Sequence, residues 1–234
     1  MWACASPEGP ALEAFLGPHF DDDLAGIGLE HHALVDTRVH EREANWKLVF
    51  DAFAEGYHVN SLHRTSVARY FSGAALVDAL GLHVRQIGAR KNLAVEWEGF
   101  DLRDQTTVFY NLFPNGVLVY HPTWIMHLNL EPLGPRRVRV VHRMLVDRRA
   151  PQDPDAVIER ARSFVFIDEK IIQAEDLSIC ESLQRNLDGG RVDEVLLGAR
   201  EEGMRLFHAA RERWLVGERS PEPPSQVKMT DTMS

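Results

Sequence analysis

Three polar side chains on a predicted helix have the types and spacing of metal ligands. The segment ANWKLVFDAFAEGYHVNSLHRTS, residues 44–66, places Glu55, His58 and His63 within nine positions. Glu55 and His58 are three residues apart, which puts them one turn apart on the same face of a helix. The two imidazoles, joined by one carboxylate from elsewhere in the chain, would suit Fe(II) and leave coordination positions open for oxygen. The same side chains could instead be the solvated face of an ordinary helix.

The helix that carries these residues must be interrupted if both histidines bind one ion. Apolar residues at spacings of three and four predict an amphipathic helix over about 45–62. His58 and His63 are five positions apart, so their rings would diverge by about 140° in an unbroken helix. A shared ion therefore requires the helix to end or bulge between Val59 and Leu62.

A third ligand has to come from a distant part of the chain. A period near 3.6 over 155–187 predicts a long C-terminal helix that stops at Gly189. This helix carries four carboxylates among which spacing alone cannot choose: Asp168, Glu169, Glu175 and Asp176.

The middle of the chain predicts a sheet. Alternating apolar and polar residues indicate strands at 30–43, 80–88, 92–99, 106–113, 117–121, 124–132 and 136–146. Turn signals at 114–116 and 133–135 connect neighbouring strands as hairpins, so the sheet should be antiparallel. A further helix is predicted over 192–216, and residues 1–27 are expected to be irregular. Together these elements predict an α+β fold in which a helix grips a curved sheet.

Composition excludes several classes of function. The formal net charge of −9 would repel a phosphate backbone, so we expect no nucleic-acid partner. No apolar run is long enough for a transmembrane helix, and the first ten residues do not resemble a signal peptide. Cys4 and Cys180 belong to no C-x-x-C or C-x-H pair, which excludes an iron–sulfur cluster built from this chain alone. A cytoplasmic location is expected.

Several motifs occur in the order of one known family. Asn45-Trp46-Lys47 opens the helix, the acid and two histidines follow, and EDLSICESLQ at 175–184 resembles an E-D…E-x-x-Q segment. LFPNGVLV at 112–119 is similar to the family's sheet. Over about residues 2–215 the chain resembles the catalytic domain of the large (alpha) subunit of Rieske non-haem iron ring-hydroxylating oxygenases. The resemblance implies a helix-grip (START/SRPBCC-like) fold with the metal-site helix beside the long C-terminal helix.

The resemblance also implies roles for particular residues. His58, His63 and Asp176 would be the 2-His-1-carboxylate ligands of a mononuclear Fe(II). Glu55 would be the catalytic acid that links the iron to the Rieske cluster of a neighbouring subunit, where the usual residue is Asp. Ala52 departs from the pattern, because many relatives carry Asn there.

The implied function is activation of O2 to hydroxylate an aromatic or similar small organic substrate, by mono- or dioxygenation. The substrate would lie in an apolar pocket between helix and sheet. Electrons would come from an external Rieske [2Fe–2S] domain with a ferredoxin or reductase, and a homotrimer is expected from the family.

The C-x-H and C-x-x-H pairs of a Rieske domain are absent from the 234 residues. Residues 1–27 are expected to be a linker remnant after a missing Rieske domain, 28–217 the iron-binding catalytic domain, and 218–234 a disordered tail. A truncated sequence or a late start codon is the favoured explanation. The alternatives are a Rieske part supplied by another chain, or loss of the electron supply.

A competing hypothesis from another class is a metal-free helix-grip domain that only binds a small apolar molecule. Other side chains are expected to be structural. We expect Cys180 to be buried and His40 to lie at the surface or in a linker. Four histidines on predicted strands are expected to be ordinary sheet residues, with His127 the one that could face the pocket: His83, His121, His127 and His142.

Overall fold

The computed structural model describes Pro7 and residues 9–91, 102–190 and 194–217. The predicted strand at 92–99, the predicted disordered tail at 218–234 and Cys4 lie outside these ranges.

Within the described residues, seven strands form one antiparallel sheet. They are β1 (His32–Arg42), β2 (Phe71–Leu80), β3 (His83–Arg90), β4 (Thr106–Leu112), β5 (Gly116–Tyr120), β6 (Ile125–Gly134) and β7 (Arg137–Asp147). Their order across the sheet is β1-β7-β6-β5-β4-β3-β2. The six predicted strands within the described ranges are confirmed to within a few residues. Strand β2 was missed, because Gly73 and several alanines weaken its pattern and its pairing with β3 decides its structure.

The helices lie before, between and after the strands. They are α1 (Leu12–Leu16), α2 (Pro18–Ile27), α3 (Trp46–Ala52), α4 (Tyr57–Ser61), α5 (Leu102–Gln105), α6 (Pro154–Phe166), a π-helical segment (Ile167–Leu177), α7 (Ser178–Asp188) and α8 (Glu202–Leu215). Short 3-10 turns occupy Leu29–His31 and Ala68–Tyr70. In the described part of the chain, none of these helices is both long and apolar enough to cross a bilayer.

The structure corrects three predictions about helices. The helix predicted over 45–62 is two helices, α3 and α4, with a break at 53–56. The long C-terminal helix ends before Gly189 as predicted, but 167–177 have π-helical instead of α-helical hydrogen bonds. The helix predicted over 192–216 begins only at Glu202, and 194–201 belong to no helix or strand.

The prediction of irregular structure over 1–27 was also wrong within the described residues, because helices α1 and α2 lie in this range. Pro18 starts α2 instead of breaking it, because the first turn of a helix needs no hydrogen bond from that nitrogen. Leu16 and Phe20 are buried against one face of the sheet, where Phe20 contacts Tyr110 with ring centroids 5.5 Å apart. Helices α1 and α2 therefore cover a sheet face that would otherwise be open.

The main core lies on the opposite face of the sheet. Alternate residues of β6 and β7 point into it, with Leu128, Leu130, Val138 and Val140 fully buried. Helix α8 completes it through Phe207, whose ring stacks on Phe50 of α3 at 3.7 Å. The long C-terminal helix crosses the same face, and the α+β helix-grip prediction is confirmed.

Candidate metal centre and cavity

The break between α3 and α4 is held by residues far away in the sequence. The carbonyl oxygen of Phe53 accepts hydrogen bonds from Gln86 Nε2 at 2.9 Å and Asn111 Nδ2 at 3.1 Å. Gln86 and Asn111 also bond to each other, and both are buried. These amides satisfy a carbonyl at the end of α3 that has no partner within its own helix. The sheet thereby fixes the chain just before Glu55.

Helix α8 supports the same break from the other side. A Cβ added at Gly203 would overlap the carbonyl oxygen of Ala54, so only glycine allows the helix to approach this closely. Ala54 itself is fully buried. The backbone before Glu55 is thus enclosed between the sheet amides and α8.

The end of α4 brings the two histidine rings together. Helix α4 ends at Ser61, inside the interval between Val59 and Leu62 that a shared ion requires. The carbonyl oxygen of His58 accepts hydrogen bonds from Leu62 N at 2.7 Å and His63 N at 3.4 Å. The imidazole centroids are 5.0 Å apart, a separation that an unbroken helix would not allow.

Asp176 of the π segment completes a cluster of three possible ligands. One ligand atom each from His58, His63 and Asp176 lies within 4.8 Å of the others. Asp176 Oδ1 is 3.0 Å from His63 Nε2 and 3.9 Å from His58 Nε2. This oxygen is buried, yet within the described ranges it makes no hydrogen bond of acceptable angle. A buried carboxylate oxygen without a partner is costly, and a cation between these atoms would provide one.

Two glutamates orient the histidine rings. Glu55 Oε1 contacts Nδ1 of His58, and Glu175 Oε2 lies 2.7 Å from Nδ1 of His63. If each Nδ1–H donates to its carboxylate, each Nε2 is left as a lone-pair donor that faces Asp176. Glu175 is held in turn by Ser66 Oγ at 2.8 Å and Lys170 Nζ at 3.1 Å.

The electrostatics of the centre favour positive charge. Burial acts to lower the pKa of His63, but Asp176 and Glu175 outweigh it and raise this pKa above the ordinary value. Burial likewise acts to raise the pKa of Glu175, and its contacts with His63, Ser66 and Lys170 lower it. The Glu175 carboxylate is therefore held in its ionised form behind His63, where positive charge, as a proton or a metal ion, is stabilised.

The other two candidate carboxylates lie elsewhere. Glu169 is exposed to solvent. Asp168 is buried and faces away from the histidine pair, where its Oδ1 accepts hydrogen bonds from His40 Nε2 at 2.8 Å and His142 Nδ1 at 2.7 Å. The prediction that His40 is a surface or linker residue was wrong, because this contact keeps its side chain 10% exposed.

A largely apolar cavity of about 160 Å³ adjoins the three ligand atoms. Its lining includes three phenylalanines, three isoleucines and small residues that leave space near the sheet: Phe53, Phe71, Phe109, Ile167, Ile171, Ile172, Gly73, Ala75 and Gly88. His121 lines this cavity, whereas His127 lies outside it beside Arg143. His127 is a sheet residue as expected, and the cavity is lined by His121 instead, so the alternative that His127 could face the pocket was wrong. Cys180 is buried as expected, and its Sγ contacts the carbonyl oxygen of Leu48.

The sequence indicates Glu175 as a functional residue, but in a different role. Spacing makes it a rival of Asp176 as a ligand, whereas in the structure it contacts the Nδ1 atom of His63. No sequence pattern indicated Ser66 or Lys170. Ser66 contacts Glu175 across 109 positions of the chain, and the contact between Lys170 and Glu175 depends on the π-helical turn.

Comparison with known proteins identifies the family. The family model described as the ring hydroxylating alpha subunit (catalytic domain) matches residues 29–217. The chain belongs to this family. Among relatives, it is 25% identical to choline monooxygenase from Arabidopsis thaliana, over 71% of this chain and 38% of that protein. It is 23% identical to putrescine 2-hydroxylase from Ralstonia nicotianae, over 83% of this chain and 56% of that protein.

Solved structures of two Rieske-type oxygenases share the fold of this chain. The quaternary ammonium Rieske monooxygenase CntA, in complex with an inhibitor, matches with a TM-score of 0.69 and 18% identity, over 92% of this chain and 57% of that chain. Naphthalene 1,2-dioxygenase from Rhodococcus sp., bound to indole, matches with a TM-score of 0.68 and 17% identity, over 91% and 63%. The chain thus spans less than two thirds of the length of these proteins.

Proposed function

We propose that this chain is the catalytic part of an Fe(II)-dependent oxygenase that hydroxylates a small organic substrate. His58, His63 and Asp176 would hold a single iron ion. The observation that carries this proposal is the buried, unpartnered Asp176 Oδ1 beside two imidazole Nε2 atoms, all within one ligand cluster of the described chain. Two neutral imidazoles and one carboxylate would leave a net charge of +1 and open coordination positions.

The bound iron would supply the capacity to activate O2 with electrons from an external Rieske [2Fe–2S] donor. The residues of this chain hold and orient the reacting groups. Glu55 and Glu175 keep a proton on Nδ1 of each histidine, so that each Nε2 stays available. The largely apolar cavity would hold the substrate beside the ligand cluster.

The cavity favours a neutral substrate with an apolar body. Glu55 and Asp176 are the acidic residues of its described lining, and both belong to the proposed iron centre. The names of choline monooxygenase and of CntA refer to quaternary ammonium compounds. Phenylalanine faces can contact either a cation or an aromatic ring, but no further carboxylate of the described lining would balance a positive charge. An aromatic substrate, by mono- or dioxygenation, is therefore the better fit.

Metal analysis after anaerobic reconstitution with Fe(II) tests the proposal. We expect near-stoichiometric iron in the parent chain and loss of most of it in His58→Ala and Asp176→Asn, since each removes one of three protein ligands. His208→Ala is a matched control, because His208 contacts Asp51 on another part of the surface. That variant should retain its iron.

A parent chain that binds no iron, while still binding apolar molecules, would support the competing hypothesis of a metal-free ligand-binding domain. Equal loss of iron in the His208→Ala control would mean that the site variants act through folding instead of ligation.

A further inference from the structure

Apart from the Asp176 oxygen, two polar atoms in the described part of the cavity wall lack hydrogen-bond partners. The Oγ1 of Thr107 and the Nε2 of His121 are both buried, and neither makes a hydrogen bond with any described residue. Thr107 is 1% exposed. Both residues line the apolar cavity beside the proposed iron centre. Unpartnered buried polar groups are costly in folded proteins, so each needs an explanation.

The two residues are neighbours across the sheet. Val108 of β4 pairs with Tyr120 of β5, and the two strands are antiparallel. Thr107 comes just before Val108 and His121 just after Tyr120, so the two residues lie next to each other across the strands. On β4, Thr107 and Phe109 both line the cavity, as expected for alternate residues of one strand face. The polar pair therefore forms a single patch on a largely apolar wall, and the Gln86 amide of the same lining is already bonded to Phe53 and Asn111.

Neither group carries a charge near neutral pH. Burial, with Arg90 and His142 nearby, lowers the pKa of His121 to about 3, so the imidazole is neutral. Its ring is held by stacking on Trp124, with centroids 4.5 Å apart. A threonine hydroxyl both donates and accepts, and a neutral imidazole nitrogen does one or the other according to its tautomer. A neutral hydroxyl group complements this pair in either tautomer.

We propose that Thr107 and His121 form a hydrogen-bonding subsite that orients a substrate with an apolar body and one neutral hydroxyl group. The inference deepens the proposed function, since it assigns a substrate class to the same cavity. Gly88 is paired with Thr107 in the sheet, and the phenylalanines of the lining would contact the apolar body. The subsite would then determine which end of the substrate is turned away from the polar wall.

Equilibrium binding of naphthalene and 2-naphthol to the full, iron-free chain tests this subsite. The two probes share one apolar body and differ by a hydroxyl group. In a purely apolar cavity 2-naphthol should bind no better than naphthalene, because its hydroxyl loses hydrogen bonds to water. With the subsite present we expect it to bind about tenfold more tightly.

Thr107→Val and His121→Phe should each reduce this preference to about threefold or less, because both keep the shape and remove the polar atom. Naphthalene affinity should stay within about twofold, and Thr107→Ser should retain the preference because it keeps the hydroxyl. Thr106→Val is a matched control on the same strand, since Thr106 does not line the cavity. It should leave the ratio of the two affinities unchanged.

A ratio near one in the parent chain, no binding of 2-naphthol, or an unchanged ratio in both folded variants would overturn the proposal. The measurement needs neither iron nor turnover. Failure of the iron experiment therefore leaves this test interpretable, and failure of this test leaves the iron centre standing.

Discussion

At the residue scale, the proposed iron centre depends on which nitrogen each histidine presents. His63 is 3% exposed and has Glu175 on one side of its ring and Asp176 on the other. A carboxylate behind a metal-binding imidazole fixes its tautomer and raises its basicity. Glu175 thus has a supporting role at His63 that matches the role of Glu55 at His58.

Glu175→Gln should weaken Fe(II) binding by about 10- to 100-fold without unfolding the chain. The amide keeps the size of the side chain but removes the negative charge behind His63. Anaerobic Fe(II) titration measures the effect. Glu169→Gln is the matched control, because Glu169 is exposed on the same helical segment. Equal affinities of Glu175→Gln and the parent chain would exclude this supporting role.

At the scale of elements, the π segment connects the proposed iron centre to the sheet. Asp168 near its start is tied to β1 by His40 and to β7 by His142, and Gln173 contacts its second oxygen at 3.0 Å. Asp176 near its end faces the histidine pair. π-helical turns are rare and frequently occur at functional sites. The buried contacts of Asp168 anchor a segment whose local geometry is otherwise unfavourable.

Asp168→Asn should lower the free energy of unfolding by about 2 kcal/mol at neutral pH, because it removes the charge from two buried hydrogen bonds. Although burial acts to raise the pKa of Asp168, His142 and His40 lower it well below 3.8. The stabilisation is therefore complete above pH 3.8 and is lost as the pH falls through the folded-state pKa. The difference between variant and parent should shrink under acid conditions.

Denaturant unfolding at several pH values measures this difference. Asp51→Asn is the comparison, because its pair with His208 is partly exposed and should contribute less than about 1 kcal/mol. If both substitutions lower the free energy of unfolding equally at neutral pH, the buried contacts of Asp168 contribute no more to stability than a partly exposed pair.

At the scale of the whole molecule, the sheet separates two packing layers. Helices α1 and α2 cover one face, and the proposed iron centre, the cavity and the C-terminal helices lie on the other. Cysteine and histidine pairs suited to a Rieske cluster are absent from the 234 residues. If the proposed function is correct, electrons must reach the iron from a separate cluster.

The isolated, iron-loaded chain should therefore give no sustained NAD(P)H-driven hydroxylation of aromatic compounds. Addition of a Rieske protein with its reductase should restore turnover, and His58→Ala should abolish it again. Product formation over many turnovers measures the effect. Sustained turnover by the isolated chain would falsify the requirement for an external donor.

Local patterns were sufficient for much of the fold, whereas the candidate ligand set came from the resemblance to a family. Alternation predicted six of the seven strands, because a sheet with buried faces imposes a two-residue period on its sequence. Family motifs selected His58, His63 and Asp176 from a larger set of acids and histidines, and the structure brings these three together. Their role as iron ligands stays a prediction.

Only the tertiary structure decided how the ligand cluster is assembled. The break before Glu55 depends on Gln86, Asn111 and Gly203, which lie 31 or more residues further along the chain. The sequence predicted an α-helix for the π segment, because the spacing of apolar residues indicates which side of a helix is buried. It does not indicate which carbonyl oxygen accepts the hydrogen bond of each amide. The His40 contact likewise joins residues 128 positions apart. Such long-range contacts leave no local period in the sequence, and they orient the side chains of the proposed centre.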